Sequence, residues 1–418
     1  MNSLADDLWA LIFVRLPLKS IATFKLVCKR WKSLLESPFL RNLFLSHHQN
    51  SHSMWSLMLK DNQQEAVAHY GCEIWGHPPQ QLGSYIATFV TELAFFSHKE
   101  IYRHARAVAY TDVGLILIRV VSVLRNVSLY VANPVSRECV ETDPPWVEPE
   151  EDYWNLGLAT RTDENGGVLG YKVVLLYDAE SRWTNSFNLL IYSSETGLWK
   201  QETVQFPYSF HYRHEFSYSI SMNGHLHWVA RDDVNDDEVV VSIDFYGSDH
   251  PVCRVTSFPD LGTSPLFQRF CTVSQGSLMY MNIASQGDEY HKLSVWRLKS
   301  SWEWNLVSEI SYISYEHTYI PLAINPFDAE TVYFWSNDLD DQCLVSMNLG
   351  IGEFFIHGKS ERGSTDGCLL KTPEGKTFIQ LAQEFSSFVL PKWLYRIPNT
   401  VTNNSRQPWF ISNPTFIW

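Results

Sequence analysis

The chain has 418 residues, 45% hydrophobic and 19% charged, with 20 Gly and 19 Pro, a composition that excludes a disordered, collagenous or low-complexity polymer. Its length suits roughly two to three domains, or one small unit beside a large all-β one. A net charge of −14 argues against a protein built to grip nucleic-acid phosphates, so no nucleic-acid partner is expected. The apolar run over 113–121 is broken by Arg119 and is about half of what a bilayer crossing needs, so no membrane span is expected. Asp6 and Asp7 stand where a secretory leader would be basic, so no leader is expected either. Seven scattered cysteines without a C-x-x-C pair fit free thiols in a reducing compartment, the cytoplasm or nucleus. The sequons at Asn126 and Asn403 then read as chance matches.

The charge is unevenly placed. Residues 1–45 hold seven Lys and Arg against Asp6, Asp7 and Glu36, which is +4, so residues 46–418 carry −18. Two parts with different tasks follow. Ser3 and Asp6 form an S-x-x-D capping box, and Leu8, Leu11, Ile12 and Leu16 recur at helical spacing, which predicts a helix over 4–15 closed by Pro17. Ile21, Phe24 and Val27 predict a second short helix, 29–36 a third, and Ser37-Pro38 the cap of a fourth through Leu43. About 45 residues bury too little surface to stand alone comfortably. The remaining apolar side is covered either by the rest of the chain or by a partner.

The stretch LADDLWALIFVRLPLKSIATFKLVCKRWKSLLESPFLRNLF resembles the F-box motif, especially its plant form. That resemblance implies docking on the Skp adaptor of a Skp/cullin/F-box ubiquitin ligase, with adaptor contacts from Leu4, Leu8, Ile12, Leu16, Pro17, Leu26, Val27, Cys28 and Trp31. Two positions depart from the pattern: Ala5 stands where proline is usual, and Leu11 where glutamate is usual. Aliphatic side chains and one Trp rimmed by Lys and Arg suit an acidic partner groove. Trp31 reads equally well as a contact anchor or as a ring of the helical core.

From about residue 50 the pattern changes to short alternating runs broken by Gly, Asn-Pro and Asp clusters, a strand signature. A two-part unit repeats. Its first part is a Gly followed by a strand, at Gly114, Gly170, Gly224 and Gly276, with a degenerate copy at 330–335; its second is a strand that in most copies ends in a polar turn. Anchors at Val131, Tyr192, Asp244, Trp296 and Met347 are about 50 residues apart, the size of a kelch-type propeller blade. Five copies are visible, and 55–110 and 355–410 each have room for one more, so six or seven blades are expected.

Asn133-Pro134-Val135-Ser136-Arg137, the segment 191–199 and Asn223-Gly224-His225-Leu226-His227-Trp228 resemble the F-box-associated, kelch-related domain of plant proteins. The expected fold is therefore α plus all-β: an F-box over 1–45, a linker and first β segment over 46–110, propeller repeats over 111–400 and a C-terminal tail over 401–418.

Enzyme motifs are incomplete. Gly375-Lys376-Thr377 and Gly358-Lys359-Ser360 end like a P-loop but lack its leading glycine, and no G-x-S-x-G occurs. His211 with His214, His225 with His227, and the acidic runs 232–238 and 337–341 lack a full ligand set, so no metal or cofactor is expected. The resemblance implies a non-catalytic substrate receptor, holding the adaptor, and through it cullin, at one end and a protein substrate at the other. The rival readings are a propeller enzyme of glycoside hydrolase or oxidase type with a vestigial helical module, and an adaptor-binding protein that recruits no client.

Overall fold

The structure is a computed structural model that describes residues 6–51, 53–59, 64–69, 74–75, 82–97, 102–124, 126–142, 144, 155–164, 166–177, 183–211, 219–232, 237–260, 268–286, 290–314, 319–337, 342–357, 385–398 and 409–410. Four short helices open it: α1 (Asp6–Phe13), α2 (Leu18–Phe24), α3 (Lys29–Leu35) and α4 (Pro38–His47). The capping chemistry explains their limits. Cys28 Sγ accepts from Trp31 N at the start of α3, and Ser37 Oγ accepts from Leu40 N at the start of α4, with Pro38 in the first turn. Pro17 opens α2 as its N-cap, and α1 has already ended at Phe13.

The β-region begins with β1 (Trp55–Leu59) and β2 (Gln64–His69), followed by a helix the sequence reading missed, α5 (Leu82–Ser97). Its signal was present: Ile86, Phe89, Val90, Leu93 and Ala94 are all buried and spaced as one helix face. Antiparallel meanders follow: β3 (Tyr102–Tyr110), β4 (Ile116–Ser122), β5 (Val127–Asn133) and β6 (Glu138–Glu141); then β7 (Asn155–Thr162), β8 (Val168–Tyr177), β9 (Trp183–Ser193) and β10 (Leu198–His211). Next come β11 (Ile220–Met222), β12 (His225–Asp232), β13 (Glu238–Asp244) and β14 (Val252–Ser257), and β15 (Gln268–Ser274), β16 (Ser277–Gln286), β17 (Tyr290–Leu298) and β18 (Trp304–Ser314). The last full meander is β19 (Tyr319–Ile324), β20 (Thr331–Asn337), β21 (Gln342–Asn348) and β22 (Phe354–His357), before β23 (Phe385–Val389) and β24 (Trp409–Phe410).

The repeat unit read from the sequence is the central hairpin of each meander: β4 with β5, β8 with β9, β12 with β13, β16 with β17 and β20 with β21. Gly224 and Gly276 are the second residues of tight turns whose first residues, Asn223 and Gln275, also have positive φ, the primed geometry that matches strand twist. The polar turns are side-chain caps. Asn133, Asp244 and Asn348 each accept from the backbone N–H groups two and three residues on.

The described strands form five sheets, which corrects the expected six or seven blades. Two causes are visible. The meanders β7–β10 and β11–β14 fuse into one eight-stranded sheet where Phe210 and His211 pair with Asp232 and Arg231. The described strands of 55–110 and 355–410 do not make a blade each; β1 and β2 from the first segment join β23 from the second in one three-stranded sheet. The inner strands β3, β7, β11, β15, β19 and β23 pack on one another in that order and return to β3, so the ring closes by uniting distant parts of the chain. Large rings fill the space between sheets, with Tyr171, Tyr192, Phe245, Tyr280, Tyr333 and Phe334 fully buried. No helix among the described residues is long and apolar enough to cross a membrane.

Candidate functional site: the open face of the helical module

The four N-terminal helices have two apolar sides, and only one is covered. Ala10, Phe13, Val14, Leu18, Ile21, Leu35, Leu40 and Phe44 are buried in one continuous core with α5, the sheet of β3–β6 and the segment 388–393. Phe44 packs 5.0 Å from the ring of Trp393, and His48 Nε2 donates to Val14 O at 3.0 Å. Leu18 N bonds Ile74 O at 2.7 Å, and Trp75 Nε1 donates to Pro391 O at 2.9 Å. Arg41 pairs with Asp163, and Arg396 reaches Glu36 at 3.3 Å. The propeller thus supplies the wall that a module this small lacks.

The other side stays open. Leu8, Leu11 and Ile12 form one stripe of α1, Leu26 and Val27 cap the α2–α3 turn, and all five are 44–77% exposed. Leu26 N bonds Thr23 O and Val27 N bonds Phe24 O, so the turn that presents these side chains is itself fixed. Cys28 is exposed with its thiol used as a cap, while Leu16 and Pro17 are half-buried at the α1–α2 corner. Trp31 is also half-buried, its ring within 4.8–5.5 Å of the rings of Trp9, Phe13 and Phe24. It therefore holds the three helices together while showing one side to solvent. Leu4 lies outside the described residues.

Leu11 and Phe39 are exposed apolar residues of this module that sequence reasoning did not select as contacts, although Leu11 shares the helix spacing of Leu8 and Ile12. Arg15, Lys29, Arg30 and Lys32 are exposed around the apolar stripe, and Arg30 bridges Asp6 at 2.8 Å, tying α3 to α1. Lys25 differs: burial at the seam lowers its pKa, opposed by the nearby Glu36. Five exposed aliphatic side chains with a cationic rim, on helices fixed from behind, form a preorganised apolar surface of the kind found at protein interfaces. Burying each is worth on the order of 1–2 kcal/mol.

The match to known families decides what this module is. Residues 1–43 match the F-box domain, and residues 53–399 match the β-propeller described as F-box protein At3g26010-like. The chain belongs to this family of F-box proteins. Among similar proteins of Arabidopsis thaliana, F-box protein At3g28330 is 49% identical over 96% of this chain and 97% of its own length. F-box protein At3g26010 is 33% identical, covering 94% and 90% respectively, and F-box protein At1g49990 is 32% identical, covering 93% and 96%. Solved structures are far more distant: oligogalacturonate lyase from Vibrio parahaemolyticus is 10% identical, with a TM-score of 0.33 over 61% of this chain and 81% of that one.

Within the propeller of this F-box protein, the charged side chains lock sheets together. Arg269 bonds Glu238 at 3.0 Å, Asp260 at 3.3 Å and Tyr280 Oη at 3.2 Å, and Tyr280 and Asn282 donate to the other oxygen of Asp260. His225 and His227 stack 5.9 Å apart, but their Nδ1 atoms are engaged by Asn223 O and Ser242 Oγ. Burial drives the pKa of His227 down to about 3, so it is a neutral core residue at physiological pH. No group of three His, Cys, Asp or Glu able to hold a metal occurs among the described residues. His214, the P-loop-like segments around Lys359 and Lys376, and most of both acidic runs lie outside them.

Proposed function

We propose that this F-box protein is the substrate-receptor subunit of a Skp/cullin ubiquitin ligase. In this reading the open face of α1 and the α2–α3 turn docks on the Skp adaptor, which links it to cullin, and the propeller holds a client protein for ubiquitination and proteasomal degradation. It performs no chemistry itself. Because the helices share one core with the propeller, a bound client is held at a fixed offset from the adaptor, raising the effective concentration of its lysines at the conjugating enzyme. The −18 charge of residues 46–418 favours a client with a basic segment. The site of action is the cytoplasm or nucleus, in keeping with the free thiols of Cys28, Cys139, Cys253, Cys271 and Cys343.

The observation that carries the proposal is the exposure of Leu8, Leu11, Ile12, Leu26 and Val27 on helices whose opposite side is sealed. The test is calorimetric titration of a purified Skp adaptor into the full chain and into a Leu26→Lys/Val27→Lys variant. Saturable binding that weakens at least about a hundredfold in the variant, with an unchanged melting temperature, is expected. Equal binding by both proteins would overturn the assignment of this face.

A further inference from the structure

A sheet edge offers a row of open backbone groups to any extended chain, and the outer strands of this propeller manage that hazard unequally. The edge of β6 is covered by β24, with Trp409 opposite Cys139 and Phe410 opposite Glu138. At its far end β10 is paired with β12, Phe210 opposite Asp232 and His211 opposite Arg231. In the middle of β14 stands Arg254, whose guanidinium lies 4.8 Å over the ring of Trp302. On β18, Glu309 is bridged to Lys292 at 2.8 Å, and its ladder with β17 is twice irregular.

Among the described residues, the outermost strand β22 has none of these protections. It pairs regularly with β21, from His357 opposite Leu344 to Phe354 opposite Met347, and no described strand lies on its outer side. Phe354, Phe355 and Ile356 are 41%, 52% and 68% exposed, and Ile351 in the preceding turn is exposed as well. Successive strand residues face opposite ways, so Phe355 projects from one face and Phe354 and Ile356 from the other. An added strand would therefore find backbone partners along the edge and apolar side chains above and below it.

We propose that β22 is the edge on which an extended segment of the client protein docks as an additional strand, with apolar residues on the face of Phe354 and Ile356 and basic residues alternating with them on the face of Glu353 and Phe355. This rests on the reading of the chain as a substrate receptor. The molecule itself supplies the precedent, since β24 extends the sheet of β3–β6 in the same way. The exposed Glu353 beside the edge, and the acidic charge of residues 46–418, select basic interleaving residues.

The test uses a fluorescein-labelled peptide of alternating valine and lysine, titrated into the full chain by fluorescence polarisation, with hydrogen exchange followed over residues 354–357. Saturable binding, new protection of these amides and a loss of at least about tenfold in affinity in Ile356→Lys and Phe355→Lys are expected, with Val252→Lys on β14 unchanged. Should Ile356→Lys lower the melting temperature, Ile356→Thr is read in its place. Binding that survives both substitutions is charge attraction elsewhere and overturns the proposal. So does protection, before peptide is added, of the alternate β22 amides that point away from β21, which shows the edge already filled. A concentration-dependent dimer in light scattering that Ile356→Lys abolishes assigns the edge to a second copy and overturns it too. Adaptor titration of the same variants separates the two readings, because a failed β22 leaves adaptor binding intact.

Discussion

Arg41, in the last F-box helix, pairs with Asp163, in the turn between β7 and β8, and its guanidinium lies 5.1 Å from the centroid of the Tyr395 ring. One side chain thus ties the helical module to the propeller and to the C-terminal segment. Because the pair is partly exposed, it contributes little by itself: Arg41→Ala is expected to cost about 1 kcal/mol. Phe44→Ala, which empties a fully buried position beside Trp393, is expected to cost about 3–5 kcal/mol. Urea denaturation of the two variants checks the ranking. A larger loss from Arg41→Ala would mean that charge, not packing, holds the seam.

The shared core also fixes what truncation does. Removing residues 1–45 would bare the apolar side of α5 and the surroundings of Trp393, which Ala10, Phe13, Leu18 and Phe44 now cover. The shortened protein is expected to bind an apolar dye, to melt at a lower temperature and to aggregate on storage. Loss of adaptor binding after such a deletion says nothing about individual contacts, which is why the surface substitutions at Leu26 and Val27 are the informative ones.

Trp31 separates the two roles of the helical face. Its ring touches Trp9, Phe13 and Phe24, so Trp31→Ala is expected to destabilise the chain by about 3 kcal/mol in denaturant, whether or not an adaptor is present. Trp31→Phe keeps most of that packing. If it binds the adaptor as the parent does, the ring acts mainly inside the module; a tenfold weaker affinity at unchanged stability would make it a direct contact.

Two buried groups give opposite pH dependences. Asp112 sits in the turn between β3 and β4; its Oδ1 is withdrawn from solvent although the residue as a whole is half-buried, and burial raises its pKa to about 6. Between the ordinary carboxylate pKa and 6 the folded state therefore holds more proton than the unfolded state, so this group favours folding as pH falls, by up to about 3 kcal/mol. His227, driven down to about 3, does the reverse: its contribution is complete above about 6.5 and is lost as pH falls towards 3. Asp112→Asn is expected to leave only the His227 trend, so stability between pH 6 and 4 should fall more steeply than in the parent. A parallel fall in both proteins would rule out Asp112 as the compensating group.

How much of this was legible in the sequence depended on the range of the interaction. Local chemistry read well: Ser37-Pro38 caps α4, Gly224 directly precedes β12, and a polar turn beginning at Asn133 follows β5. The face of α1 read partly, since the spacing of Leu8, Leu11 and Ile12 shows a stripe but not that Ala10, Phe13 and Val14 take the covered side. Helix α5 was overlooked because the surrounding strands dominated the pattern. The fusion of β10 to β12 rests on two residue pairs, and the seam of Arg41 with Asp163 spans 122 positions; neither leaves a periodic trace.

Gly114 shows how such a distant contact constrains one position. Its φ is +79°, and a Cβ there would lie 2.4 Å from Cδ of Pro391, in the C-terminal segment that packs under the F-box. Gly276 has φ +68° in a repeat-equivalent turn, yet a Cβ there would meet nothing within 4 Å. Both alanine variants bear the left-handed backbone cost of about 1 kcal/mol. Only Gly114→Ala must also displace the proline, backbone included, so it is expected to lose about 2–4 kcal/mol in total. Denaturation curves for the pair isolate the difference. If both lose the same amount, the segment around Pro391 yields freely and the support it gives the F-box from below is soft.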